Sequence, residues 1–155
     1  MNYSIRNIEI QDLKEALDLV WDVFLEFEAP DYNERGVHEF KEFIKFDSIK
    51  QKMQESQFFI WGCFDEDKVI GVLAMRPPCH ISLLFVDKEY HKRGIARAML
   101  DHVIEYYNTK LNYLEMTVNS SPYAINIYHK LGFEDVDKEQ VVNGIRFTPM
   151  KRLLK

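Results

Sequence analysis

The sequence predicts a single α/β domain over residues 1–155, with one central, mixed and mostly antiparallel β-sheet flanked by helices in the order β-α-α-β-β-β-α-β-α-β-β. Three observations carry this reading. Segments with apolar residues every three or four positions, the helical period, alternate with short runs rich in Ile, Val and Phe, the signature of strands. Three of those runs follow one another in mid-chain with only "DED" and "PP" between them, so they read as consecutive hairpins. Near the C-terminus Asn143-Gly144 sits between two further strand-like runs, and this dipeptide is the strongest short-range hairpin signal.

Taken in order, "YSIRNIEI" (3–10) alternates roughly apolar and polar and reads as a first strand, closed by Asp12 as the N-cap of a helix. Leu13, Ala16, Leu17, Val20, Phe24 and Phe27 keep helical spacing up to 28–36, where Pro30 and Gly36 punctuate the chain. A second helical region covers 37–56. The three mid-chain strands fall at 56–64, 68–76 and 80–87. From Gly94 a helix presents Ile95, Ala98, Met99, Val103 and Tyr106 on one face. A strand over 113–119 follows, then a short helix within 121–133 with Pro122 near its first turn and Gly132 as its stop. The hairpin at 139–150 closes the order.

Composition narrows the function classes. A hydrophobic fraction of 46% and an aromatic fraction of 14%, with charges of both signs interspersed, belong to a packed interior rather than a disordered chain. The formal net charge of -5, without a basic stripe interleaved with aromatics, argues against a nucleic-acid partner. No run of eighteen apolar residues exists, and "MNYSIRNIEIQDLKEAL" lacks the basic flank and apolar block of a signal peptide, so no membrane is expected and a cytoplasmic location is. Cys63 and Cys79 form no CxxC pair and lie near no histidine at ligand spacing, so no metal site is expected and both read as reduced, partly buried thiols. Cys79 adjoins His80, but neighbours in a strand point to opposite faces, which disfavours a Cys/His nucleophile.

Chemistry concentrates at 86–97. Here an apolar strand runs through a loop and Gly94 into a helix whose first residues are small or basic. The first amides of a helix have no intrahelical partner and converge, so such a turn holds an anion, most often a phosphate. His91, Lys92, Arg93 and Arg97 cluster where the helix dipole disfavours cations, which a bound anion would explain and a solvated surface would explain too. Neither GxxxxGK[ST] nor GxGxxG occurs, so two common phosphate loops are excluded.

"FVDKEYHKRGIARAML" resembles the acetyl-CoA signature of the GNAT superfamily of N-acetyltransferases, Q/R-x-x-G-x-G/A directly after the fourth strand, with His91, Gly94 and Ala96 at its three defined positions. "VNSSPYAINIYHKLGF" resembles the later element in which a helix carries a Tyr ahead of a K-x-GF-like ending. The order of elements also matches, so the resemblance covers essentially the whole chain.

The resemblance implies a set of roles. The backbone amides of Lys92, Arg93, Gly94, Ile95, Ala96 and Arg97 would hold the pyrophosphate of coenzyme A, with Lys92 and Arg93 adding charge-assisted contacts. His91 stands where Gln or Arg is usual, which leaves its side-chain task open. The pantetheine arm would pair like a strand with Leu84, Phe85 and Val86, and the amide of Leu84 would polarise the thioester carbonyl. Tyr128 would protonate the departing thiolate, since a phenol of ordinary pKa about 10 is protonated at neutral pH. His80 falls where one branch of the superfamily places a catalytic Glu, and an imidazole accepts a proton at neutral pH; a water chain is the alternative base. Asn119 and Asn126 would hydrogen-bond the pantetheine or the acceptor, or else cap and decorate the helix.

The implied reaction is transfer of acetyl from acetyl-CoA to a primary amine by direct attack in a ternary complex. The competing class is a catalytically weak domain that binds acetyl-CoA as a sensor. In this superfamily the acceptor pocket comes from the first helices and the terminal hairpin. Trp21, Phe24, Phe27 and Tyr32 with Glu26, Glu28 and Asp31 would make that lining aromatic and acidic, suited to a cation, although a solvated helix face accounts for the same residues. A homodimer is left open.

Overall fold

The computed structural model describes residues 2–154; residues 1 and 155, the limits of the expected domain, lie outside the described residues. Its elements are β1 Tyr3–Asn7, α1 Ile10–Val23, α2 Glu34–Phe43, α3 Phe46–Gln54, β2 Phe59–Asp65, β3 Lys68–Arg76, β4 His80–Val86, α4 Ile95–Glu105, β5 Glu115–Ser120, α5 Ile125–Lys130, β6 Glu134–Asp135, β7 Gln140–Val142 and β8 Ile145–Leu153. The main sheet runs β1-β2-β3-β4-β5-β8-β6, with β7 paired to β8 off that path. Every pairing is antiparallel except β4 with β5. The expected α/β class with a mixed, mostly antiparallel sheet is therefore the observed one.

Alternating side chains of the sheet feed two cores. Trp61, Leu73, Ile81, Met116 and Val118 face α4 and α5, where Met99, Leu100, Val103 and Leu131 meet them. Ile60, Val72, Ala74, Leu83 and Phe85 face α1 to α3 and meet Leu13, Val20, Phe24 and Ile49. Both cysteines are free and fully buried in the first core rather than partly so.

The local departures from the sequence reading have physical causes. The N-cap of α1 is Glu9, not Asp12: the chain leaves β1 early, the Ile8 amide bonds the Ile60 carbonyl, and Asp12 sits inside the first turn, where its charge complements the dipole. The region 37–56 splits into α2 and α3, because Ile44 is buried in the core and the chain turns at Lys45. Pro122 lies in the turn directly ahead of α5, near its first helical turn as the sequence reads. Gly132 does stop α5, at φ 95. After Val23 the helix passes through a π-turn at Phe24–Glu28 and a 3-10 turn at Ala29–Asp31. A π-turn adds a residue and rotates the downstream chain about the helix axis, so Phe24 stays fully buried while Phe27 reaches His91 and Tyr123 at ring distances of 5.1 and 5.3 Å.

Asn143 and Gly144 take φ 53 and φ 80, as a type I′ hairpin turn requires. The turn docks on the start of α2. A Cβ on Gly36 would collide with the Gly144 carbonyl oxygen, and one on Gly144 would stand 2.6 Å from the Gly36 nitrogen. The Arg35 guanidinium donates to the Asn143 side-chain oxygen at 2.9 Å, and Arg146 donates to the Asp31 carbonyl at 3.1 Å. Gly36→Ala is expected to lower the thermal midpoint by several degrees, since an overpacking cost of about 2 kcal/mol shifts a domain of this size by roughly 2–4 °C per kcal/mol. An unchanged midpoint would show that the hairpin moves aside freely.

Candidate active site

Two breaks in regular structure build the site. The first is the turn between β4 and α4. Lys92 and Gly94 both occupy the left-handed region, at φ 62 and φ 77. Gly94 caps α4, and its carbonyl receives the first helical bond from the Ala98 amide at 3.0 Å. The amides of Ile95, Ala96 and Arg97 therefore precede that first bond and project from the helix start. Nothing lies within 4 Å of where a Gly94 Cβ would stand, so the space in front of the turn is open. That is the geometry of an anion cradle.

The flanking side chains sort out differently. The Nε2 of His91 lies 2.8 Å from the Val86 carbonyl, which only accepts, so that nitrogen carries a proton and ties the turn back to the end of β4. Arg97 donates to the Lys130 carbonyl at 2.7 Å and so braces the end of α5. The Arg93 guanidinium lies 5.1 Å from the Tyr90 ring centroid. Lys92 is exposed.

The second break separates β4 from β5. Their parallel pairing covers only His80 with Thr117 and Ile81 with Val118. The register of β4 against β3 shifts between Ala74–Leu83 and Met75–Ile81, which makes Ser82 the extra residue of a bulge. Beyond it, Leu84 to Val86 diverge from β5 with one backbone edge unpaired by that neighbour. Ser82 Oγ is buried with no partner among the described residues.

A cavity of about 330 Å³ opens at this splay, lined by His80, Ser82, Leu84 and Phe85 of β4, Asn119, Ser121 and Tyr128 beyond it, Glu28 and Tyr32 from the turns that follow α1, Glu39 of α2, and Arg76 of β3. Burial sets its electrostatics. Glu28 is pushed up to about 7, chiefly by desolvation and further by Asp31, although the Ser121 hydroxyl donates to it. His80 is pushed down to about 4 by desolvation and the nearby Arg76 cation, and it shares a 2.7 Å hydrogen bond between Nδ1 and the Thr117 hydroxyl. Tyr128 is 6% exposed, packs edge-on against Phe133, and is held above the ordinary tyrosine value by burial and then by Glu28.

A family model for the acetyltransferase (GNAT) domain matches residues 28–154. The chain belongs to the GNAT family. Among curated relatives, this GNAT chain is 32% identical over 100 residues to the uncharacterized N-acetyltransferase YafP of Escherichia coli (strain K12), covering 64% of this chain and 61% of that one. It is 29% identical over 154 residues to the uncharacterized N-acetyltransferase MJ1207 of Methanocaldococcus jannaschii, covering 92% and 64%. It thus spans a little over six-tenths of the length of these relatives. In fold it is similar to the PaiA N-acetyltransferase of Thermoplasma acidophilum, solved in complex with coenzyme A, with a TM-score of 0.81, 19% identity and 99% of each chain covered.

Of the site residues read from the GNAT pattern, His80, Leu84, Phe85, Asn119 and Tyr128 line one cavity. Val86, His91 and the turn from Lys92 to Arg97 continue from it along β4 into α4. Asn126 is exposed on α5 and is not brought into the cavity. The aromatic and acidic lining is narrower than expected: only Tyr32 and Glu28 of that set line the cavity. Trp21 lines a separate groove with Lys41, Phe24 is in the core, and Glu26 pairs with Lys88 at 2.9 Å. Sequence reasoning misses Ser82, Ser121 and Arg76. Arg76 pairs with His80 across two strands, a relation that spacing along the chain does not display.

The raised Glu28 pKa couples stability to pH. Its folded value lies above the ordinary 4.5, so between pH 4.5 and about 7 the folded protein keeps a proton that the unfolded chain has released. Stability from this group is present at low pH and lost as pH rises through that window. Glu28→Gln is expected to raise stability at pH 8, by an amount on the order of 3 kcal/mol at most, and to leave it nearly unchanged at pH 4. Denaturant titrations at the two pH values check this, and an equal effect at both would refute the shift.

Proposed function

We propose that this chain transfers the acetyl group of acetyl-CoA to a primary amine by direct attack in a ternary complex. The observation that carries the reading is the arrangement of the site: Glu28 and Tyr128 line the cavity beside the edge of β4 that β5 leaves unpaired beyond Ser82, and the same strand leads on along the chain into the open turn at Gly94. These features fit coenzyme A. The amides of Lys92 to Arg97 and the side chains of Lys92 and Arg93 suit its pyrophosphate, and the free edge at Leu84, Phe85 and Val86 suits an amide-bearing arm. When bound, acetyl-CoA supplies an activated thioester acetyl.

The chain's own groups do the rest. The Leu84 amide stabilises the oxygen that gains charge as the amine adds. Tyr128, held protonated, donates to the sulfur as it leaves. The proton that the ammonium must lose goes to Glu28, whose affinity suits neutral pH, and from there to solvent. His80, neutral and weakly basic, is better placed to hydrogen-bond the acceptor than to deprotonate it. Asn119 lines the same cavity and suits a hydrogen bond to the acceptor or the pantetheine, while Asn126 stands exposed on α5 outside it.

Free-thiol release from acetyl-CoA with a panel of amines and peptides tests the proposal. Tight binding of acetyl-CoA with no release above background for every amine would favour the sensor reading instead. Glu28→Gln is expected to lower kcat/KM by about 10- to 100-fold, with the wild-type limb near pH 7 gone and only the acceptor's own ionisation left. A Glu28→Gln profile superimposable on wild type would assign the proton to His80 or water.

A further inference from the structure

We propose that the natural acceptor is an extended amine bearing a carboxylate at its far end, with Arg76 as the residue that binds the carboxylate. The inference rests on the transfer reading above and adds the chemistry of the second substrate. It comes from how charge is laid out along the cavity. At one end Glu28 lies with Tyr128 and Ser121. At the other, the β3–β4 ladder pairs Arg76 with His80.

The Arg76 side chain is exposed at that rim. It has no ion pair, hydrogen bond or ring contact among the described residues, whereas Arg35, Arg97, Arg146 and Arg152 all donate to protein oxygens. Glu39, the other carboxylate that lines the cavity, is not within ion-pair distance of it. A guanidinium left in this way offers a planar fork of donors matched to a carboxylate. Its proximity is felt inside the cavity, since it helps hold His80 unprotonated.

The spacing sets the acceptor's length. From Leu84 to His80 is four residues, at most roughly 13 Å of strand and less across the bulge at Ser82. A free α-amino acid is too short to bridge that span. Two to three residues of peptide, or an ω-amino acid of similar length, reach across it. A diamine or polyamine would instead place its second ammonium against Arg76, which disfavours it by like-charge repulsion.

The test uses matched acceptors with purified protein and acetyl-CoA: 8-aminooctanoate, octylamine and 1,8-diaminooctane, and triglycine with its C-terminal amide, with thiol release as the rate readout. The carboxylate member of each pair is expected to have a kcat/KM about tenfold higher, carried in KM, as for one charge-assisted contact. Calorimetric Kd values for the same amines on the coenzyme A-loaded protein should follow KM. Arg76→Met should bring the ratio within each pair to about one, Arg76→Lys should keep part of it, and Arg76→Glu should shift preference to 1,8-diaminooctane. Equal or better use of the diamine by wild type, or an unchanged ratio in Arg76→Met, would overturn the inference. Absence of thiol release with every amine would sink the transfer reading, and the calorimetric comparison would then decide the role of Arg76 by itself.

Discussion

Tyr128→Phe is expected to lower kcat by at least about 100-fold while the Kd for acetyl-CoA stays within roughly twofold. The substitution removes one oxygen and keeps the ring, whose edge-on packing against Phe133 at 5.5 Å holds α5 against the sheet. The hydroxyl makes no hydrogen bond among the described residues, so its loss leaves no protein group unpaired and the fold should be unaffected. Burial and Glu28 raise the phenol above its ordinary value, so this acid is not lost by ionisation anywhere in the neutral or mildly alkaline range. Single-turnover kinetics with a saturating amine, beside a direct titration of acetyl-CoA, separate the two quantities. Equal kcat in the variant and wild type would remove Tyr128 from the reaction.

Gly94→Glu is expected to weaken acetyl-CoA binding on the order of 100-fold or more with the protein still folded. Three effects act together. A side chain enters the open space before the α4 amides, its carboxylate opposes the pyrophosphate, and a residue with a Cβ is strained at φ 77 by roughly 1–2 kcal/mol. Only the last bears on stability, because no atom lies within 4 Å of the new Cβ. Gly94→Ala isolates that strain and should cost stability while keeping most of the affinity. Retention of wild-type affinity in Gly94→Glu would refute the cradle.

Several features are legible in the residues alone. The helix from Gly94, the stop at Gly132 and the Asn143-Gly144 turn each depend on residues within a few positions of one another. The strand over 68–76 matches because its apolar run ends at Arg76 and "PP". The break between α2 and α3 is hidden, since Ile44 and Phe46 continue an apolar pattern across it. The two-residue β6 is hidden as well, because it has no run of its own and exists only through pairing with β8.

In the candidate site the division is sharper. Gly94, His91, Ala96 and Tyr128 can be picked out as letters in a motif, but His91 acquires a task only through its ring's contact with the Val86 carbonyl. Glu28 stands in the sequence as one of three acids; the π-turn at the end of α1 carries it to the splay of β4 and β5, while Glu26 goes to Lys88 outside. His80, an ordinary imidazole on paper, loses basicity through burial and the cation across the ladder.

The sequence by itself therefore determined most of the elements, the α/β class and the turn at Gly94, because backbone preference and side-chain period act over a handful of neighbours. Only the tertiary structure decided which carboxylate is desolvated in the cavity and which cation stands at its rim. Those properties come from excluded water and from charges brought together across strands, and neither is written into local order along the chain.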